Sequence, residues 1–151
     1  MRAGLFALLA TVTLSAGAAR PAIYPDVSAA QADLTAAEQA AKSQHKRVLV
    51  DFGGNWCGDC IVLDRVFHQP ENAALLDQRF VVVHVNVGEK GIDRNLDLAK
   101  QLGIPLEKGV PALAVLEADG RIVYSQKNGE FESMRSMDPQ SVNDFLTRWS
   151  K

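Results

Sequence analysis

The two cysteines of this chain, the only ones it has, stand three residues apart in residues 50–60, VDFGGNWCGDC. The run before them, residues 47–52 (RVLVDF), is short, apolar and rich in β-branched side chains, the pattern of a buried strand. Gly53-Gly54 breaks it. From Cys57 onward Val62, Leu63, Val66 and Phe67 recur at helical spacing, and Pro70 stops the helix. A strand, a glycine break and a helix opening at Cys57 place that sulfur at a helix N-terminus. Free backbone N–H groups and the positive end of the macrodipole favour an anion there, so the thiolate of Cys57 is stabilised. Cys60 follows one turn later on the same face, within reach of a disulfide. A bridge closing so short a loop removes little chain entropy and stabilises poorly. The spacing points to chemistry: an exposed nucleophile at Cys57 that forms a mixed disulfide, and a deeper thiol at Cys60 that resolves it. Trp56 would shade the site and offer a partner an apolar contact.

Two other uses of the pair stay open. Two cysteines are half of a four-ligand zinc site, and no second cysteine pair exists. The histidines, His45, His68 and His84, are scattered. Copper held by two thiolates is the remaining metal reading, and a buried structural bridge is the other.

The N-terminus reads as an export signal. Arg2 supplies a basic start, residues 5–14 (LFALLATVTL) an apolar stretch, and Ala16-Gly17-Ala18 a small-residue cleavage site. The stretch falls short of the roughly 20 residues that span a bilayer. Residues 1–18 are therefore expected to be a signal peptide, 19–27 (ARPAIYPDV) a tether, and 28–151 one domain in the periplasm or outside the cell. About 130 residues suffice for one core without covalent staples. A net charge of −2 supplies no electrostatic footprint for nucleic acid or an anionic membrane.

Along the domain, Ser28 is placed to cap a helix over 28–44, with Ala30, Leu34, Ala37 and Ala41 on one face. A short helix over 71–78 precedes a second, almost continuously apolar strand at 80–87 (FVVVHVNV), as parallel central strands are. A helix over 92–102 closes at Gly103. Strands at 112–117 and 121–125 flank an Asp119-Gly120 turn. Asp138-Pro139 opens a last helix, with Val142, Phe145, Leu146 and Trp149 on one face. The order α-β-α-β-α-β-β-α implies an α/β fold, a mixed sheet of four strands, with room for a fifth, and helices on both faces.

VDFGGNWCGDC resembles the active-site run of the thioredoxin superfamily, V-D-F-x-x-x-W-C-G-x-C, in spacing and in nearly every named position. Gly109-Val110-Pro111, directly before the third strand, is similar to the cis-proline loop that faces that family's disulfide. The Asp-Gly hairpin, Gly129 and the last helix agree, so the likeness spans residues 30–149. It implies a thioredoxin fold and a thiol–disulfide oxidoreductase working through a redox-active Cys57–Cys60 disulfide, with no organic cofactor or metal. Asp51 would be the buried carboxylate that relays a proton for Cys60; inside VLVDF it should be desolvated, which disfavours its charged form. Pro111 would be cis, and Val110 would offer backbone hydrogen bonds to an extended partner segment.

Three positions modulate this picture. Gly58 and Asp59 fill the gap between the cysteines, and Asp59 stands where familiar members have Pro. Its charge opposes the Cys57 thiolate, which predicts a reducing couple. His84 stands where some members carry a Lys, and would pair with Asp51 or simply pack in its strand. Residues 88–109 exceed what a minimal member needs, and the 104–109 loop would select partners or be a neutral insertion. The resemblance to exported members points to a periplasmic reductase of protein disulfides, re-reduced by a membrane electron donor and acting as a monomer. An oxidase or isomerase on the same fold, or a copper-delivery module, are the alternatives.

Overall fold

In the computed structural model, which describes residues 21–151, a four-stranded sheet is ordered β2-β1-β3-β4. The signal peptide and the first two tether residues read from the sequence lie outside the described residues. β1 (Arg47–Gly53) and β2 (Phe80–Asn86) run parallel, in a register that opposes Asp51 to His84. Parallel neighbours need a crossover, and α2 (Gly58–Phe67) and α3 (Pro70–Arg79) make it. β3 (Ala112–Leu116) pairs antiparallel with β1, and β4 (Ile122–Ser125) antiparallel with β3. The turn between them is a hairpin in which Gly120 N–H donates to Glu117 O. Gly120 has φ 85°, the left-handed value this turn requires and a side chain would resist.

Period-two alternation splits the strands between two cores. Val48, Val50 and Phe52 pack with Ala30, Leu34, Ala37 and Ala41 of α1 (Ala30–Gln44), the face foreseen for that helix. Leu49, Leu113 and Val115 pack with Leu63, Val66 and Phe67 of α2 and with Val142, Phe145 and Leu146 of α5 (Gln140–Trp149). β1 and β3 are covered on both sides, hence their unbroken apolar sequence. Asp138 Oδ1 accepts from Gln140 N–H at 3.0 Å and caps α5.

Three expectations need correction. The helix foreseen over 92–102 is only α4 (Leu96–Gln101). Asp93 and Arg94 N–H both donate to Val87 O, and Asn95, at φ 54°, donates its amide to Val27 O and Asn86 O, so residues 92–95 are held in turns. Ser28 does not cap α1; a 3-10 turn, Val27–Ala29, comes first, and Asp26 caps it by accepting from Ser28 N–H. Nor do residues 21–27 behave as a loose tether. Tyr24 is 1% exposed and belongs to the core shared with α1.

Candidate active site

Cys57 is the N-cap of α2, with Cys60 in the first turn, and the two sulfurs are joined in a disulfide. The Cys60 N–H donates to Cys57 Sγ at 3.1 Å, the kind of free first-turn donor that favours charge on that sulfur once the bond opens. Cys60 is fully buried. Cys57 retains 6% exposure, less than the open nucleophile foreseen from the sequence. Part of its cover is the loop before β3, whose Val110 carbonyl oxygen lies 3.6 Å from Cys57 Sγ. The Val110–Pro111 peptide is cis, as the resemblance implied. Trp56 is 41% exposed beside the cysteine, its indole N–H donating to Gly88 O at 2.8 Å. Its ring is thereby fixed as an apolar rim of the site.

Beneath the disulfide, Asp51 is fully buried. Its Oδ2 accepts from Tyr24 Oη–H at 2.8 Å and from His84 Nδ1–H at 3.0 Å. Its Oδ1 has no hydrogen-bond partner among the described residues. His84 thus pairs with Asp51 rather than merely packing in its strand. Burial opposes the imidazolium, but the Asp51 hydrogen bond and charge outweigh it and raise the His84 pKa. Burial, then the Asp51 charge and hydrogen bond, hold the Tyr24 phenol well above its usual value, so it stays a donor.

Gly58 opens α2, and Asp59 follows it, bound to Arg135 from the far end of the chain. Arg135 N–H donates to Asp59 Oδ1 at 2.8 Å and Arg135 Nε–H to Oδ2 at 3.1 Å. Partial burial raises the Asp59 carboxyl, yet Arg135's backbone N–H and guanidinium more than offset this and hold it low. The lone negative charge foreseen beside Cys57 is therefore an ion pair, and its bias against the thiolate is reduced. A Cβ on Gly58 would sit 3.7 Å from the same guanidinium.

Tyr24, Asn55 and Arg135 were not singled out by sequence reasoning. Asn55, between Gly54 and Trp56, accepts from Ile23 N–H (2.9 Å) and Tyr24 N–H (3.0 Å) on Oδ1 and donates to Tyr24 O (2.8 Å). The only signal for Tyr24 was an aromatic residue in an otherwise proline-rich stretch. For Arg135 there was none. Beside the cis-proline loop an open, mainly apolar groove of about 760 Å³ runs over Ile92, Leu96, Ile104, Leu106 and Gly109. Among the described residues no group of three or more His, Cys, Asp or Glu is placed to hold a metal, and no helix is long and apolar enough to cross a membrane.

Residues 29–118 match a family model described as thioredoxin-like. A solved structure described as a disulphide isomerase from Xylella fastidiosa Temecula1 is 36% identical, with a TM-score of 0.81 over 88% of this chain and 100% of that one. A thioredoxin from Thermus thermophilus is 22% identical, with a TM-score of 0.54 over 75% of this chain and 80% of that one. Thioredoxin O2 from Arabidopsis thaliana is 16% identical, with a TM-score of 0.51 over 81% and 90%. These last two show the fold alone. No curated protein matches the chain in sequence. With a helix-capping Cys57 bridged to a buried Cys60, a cis-proline loop against the sulfur and a family model over most of the domain, the chain belongs to the thioredoxin-like family and is a thiol–disulfide oxidoreductase.

Proposed function

We propose that this protein is an exported reductase of protein disulfides in the periplasm. Cys57 attacks a partner disulfide and forms a mixed disulfide, which Cys60 resolves, and Asp51 handles the Cys60 proton. The partner's extended segment lies against Trp56 and the Val110–Pro111 loop, where the Val110 backbone offers strand-like hydrogen bonds. Gly58, Asp59 and His84 tune the couple. The chain works as a monomer, needs no organic cofactor or metal, and recovers its electrons from a membrane donor. The groove over Ile104 and Leu106 continues from Gly109, next to Val110, so partner residues flanking the cysteine run along it. The observation that carries this reading is the Cys57 sulfur at the start of α2, 3.6 Å from the cis-proline loop, with Cys60 sealed behind it.

Insulin reduction with dithiothreitol tests it. Turnover should disappear in Cys57→Ser, and Cys60→Ser should trap mixed disulfides with physiological partners. Stoichiometric copper in the purified protein without turnover would favour the metal-delivery reading instead. An isomerase is the second reading, favoured by the Xylella relative described as a disulphide isomerase. Refolding of scrambled ribonuclease, beside the equilibrium with glutathione, separates the two: efficient reshuffling with an oxidising potential selects the isomerase.

A further inference from the structure

Gly53, at the end of β1, is flanked on one side by two reactive groups. A Cβ placed there would lie 2.3 Å from Tyr24 Oη and 2.8 Å from Cys60 Sγ. The missing side chain lets the phenol and the buried sulfur converge on one small volume. The same hydroxyl donates to Asp51 Oδ2 at 2.8 Å. We propose that Tyr24 is the proton bridge between the Cys60 thiol and the Asp51 carboxylate, delivered to the site by an N-terminal strap that Asn55 clamps to the active-site loop. This rests on the exchange reaction proposed above and adds a residue to it.

The strap is built, not incidental. Asn55, two residues before Cys57, holds the backbone of Ile23 and Tyr24 with three hydrogen bonds. Asn86 donates to Pro25 O at 2.9 Å and Asn95 to Val27 O at 2.9 Å. Three asparagines from three different loops and strands thus fix residues 23–27 against the sheet. The Tyr24 ring also meets the His84 ring edge-on, with centroids 5.4 Å apart.

In the resolving step the Cys60 S–H bond breaks and its proton passes to Tyr24 Oη, whose own proton passes to Asp51 Oδ2. The Cys60 electron pair forms the bond to Cys57 Sγ. The bond from Cys57 to the partner sulfur breaks, and the partner leaves as a thiolate that takes a proton from water. The partner disulfide is thereby reduced by two electrons and the Cys57–Cys60 pair oxidised. His84 is one-quarter exposed and lines a groove shared with Asp33 and Ala36 of α1. When Asp51 gains the proton, the imidazolium has less to balance and releases one to solvent there. The charged and titratable groups acting on His84 are Asp51 from β1, Tyr24 from the strap, Asp33 from α1 and, at longer range, Asp64 from α2.

The test is a two-phase reaction of the reduced protein with one equivalent of 5,5′-dithiobis(2-nitrobenzoate). The first thionitrobenzoate released reports attack by Cys57, the second its displacement by Cys60. Tyr24→Phe keeps the ring and removes the hydroxyl. The second phase should slow by about tenfold below pH 7, the scale of one lost hydrogen bond to a charged group. The difference should shrink toward the ordinary thiol range near about pH 8.5, where Cys60 ionises unaided, and the first phase should not change. Asn55→Ala, which keeps the phenol but loosens its holder, should slow the same phase by a smaller factor. A second phase in Tyr24→Phe that superimposes on the wild type at every pH overturns the proposal. A wild-type protein with no second phase would instead remove the exchange reaction itself.

Discussion

Replacing Gly53 by Ala probes the convergence of strap, sulfur and strand most directly. Gly53 does not adopt a positive φ, so the backbone accepts Ala without strain and the cost is steric. The new methyl would lie 2.3 Å from Tyr24 Oη, 2.5 Å from Tyr24 Cζ and 2.8 Å from Cys60 Sγ. The sulfur is tied into the disulfide, so the tyrosine must give way. Overpacking of this kind costs about 1–3 kcal/mol. Displacing the phenol from Asp51 adds about 1.5 kcal/mol, the low end for a bond to a charged group. The total for Gly53→Ala is then about 3 kcal/mol. Tyr24→Ala alone should cost about 4 kcal/mol, within the range for deleting a buried aromatic side chain. In the double variant the methyl finds the space the ring has left, so the sum should fall to about 4–5 kcal/mol rather than about 7. Urea unfolding of the four oxidised proteins at one pH supplies the cycle. Costs that simply add would show that Tyr24 is not what Gly53 makes room for, and the packed strap would be wrong.

Removing the guanidinium in Arg135→Ala leaves the Asp59 charge uncompensated beside Cys57, which disfavours the thiolate and hence the reduced form. The potential against glutathione should fall by about 10–20 mV, a small shift because Arg135 is largely solvent-exposed; a rise would reverse the assigned sign. His84 has a folded pKa above its ordinary 6.5, so its pairing with Asp51 contributes stability fully below pH 6.5 and loses it as pH rises through the higher folded value. Wild type should therefore exceed His84→Asn by about 1 kcal/mol at pH 5.5–6 and converge with it in alkaline solution, and a gap that widens with pH would contradict the ion pair. Leu113, fully buried in β3 opposite Asp51, should cost about 2–5 kcal/mol as Leu113→Ala, read as a lower urea midpoint with an unchanged slope.

What the sequence by itself determined was whatever is encoded locally. Cys57 and Cys60 fall on one helical turn because their spacing is one turn. The covered strands show as the apolar runs around Leu49, Val83 and Ala114, and the turn at Gly120 as its Asp-Gly pair. Asp51 could be placed under the sulfurs, and Pro111 in the facing loop, because family likeness attaches to those short motifs. The shortening of α4 escaped because its apolar spacing is genuine, while the competing bonds from Asn95 reach Val27, far back in the chain.

The rest was decided by tertiary structure. Tyr24 and Asp51 are 27 positions apart, and Arg135 and Asp59 are 76. Nothing within a helical or strand period connects such residues; only the closed sheet, with a strap laid across it, brings them to hydrogen-bonding distance. That is why the catalytic sulfurs were legible from a dozen residues, and why the charges and protons arranged around them were not.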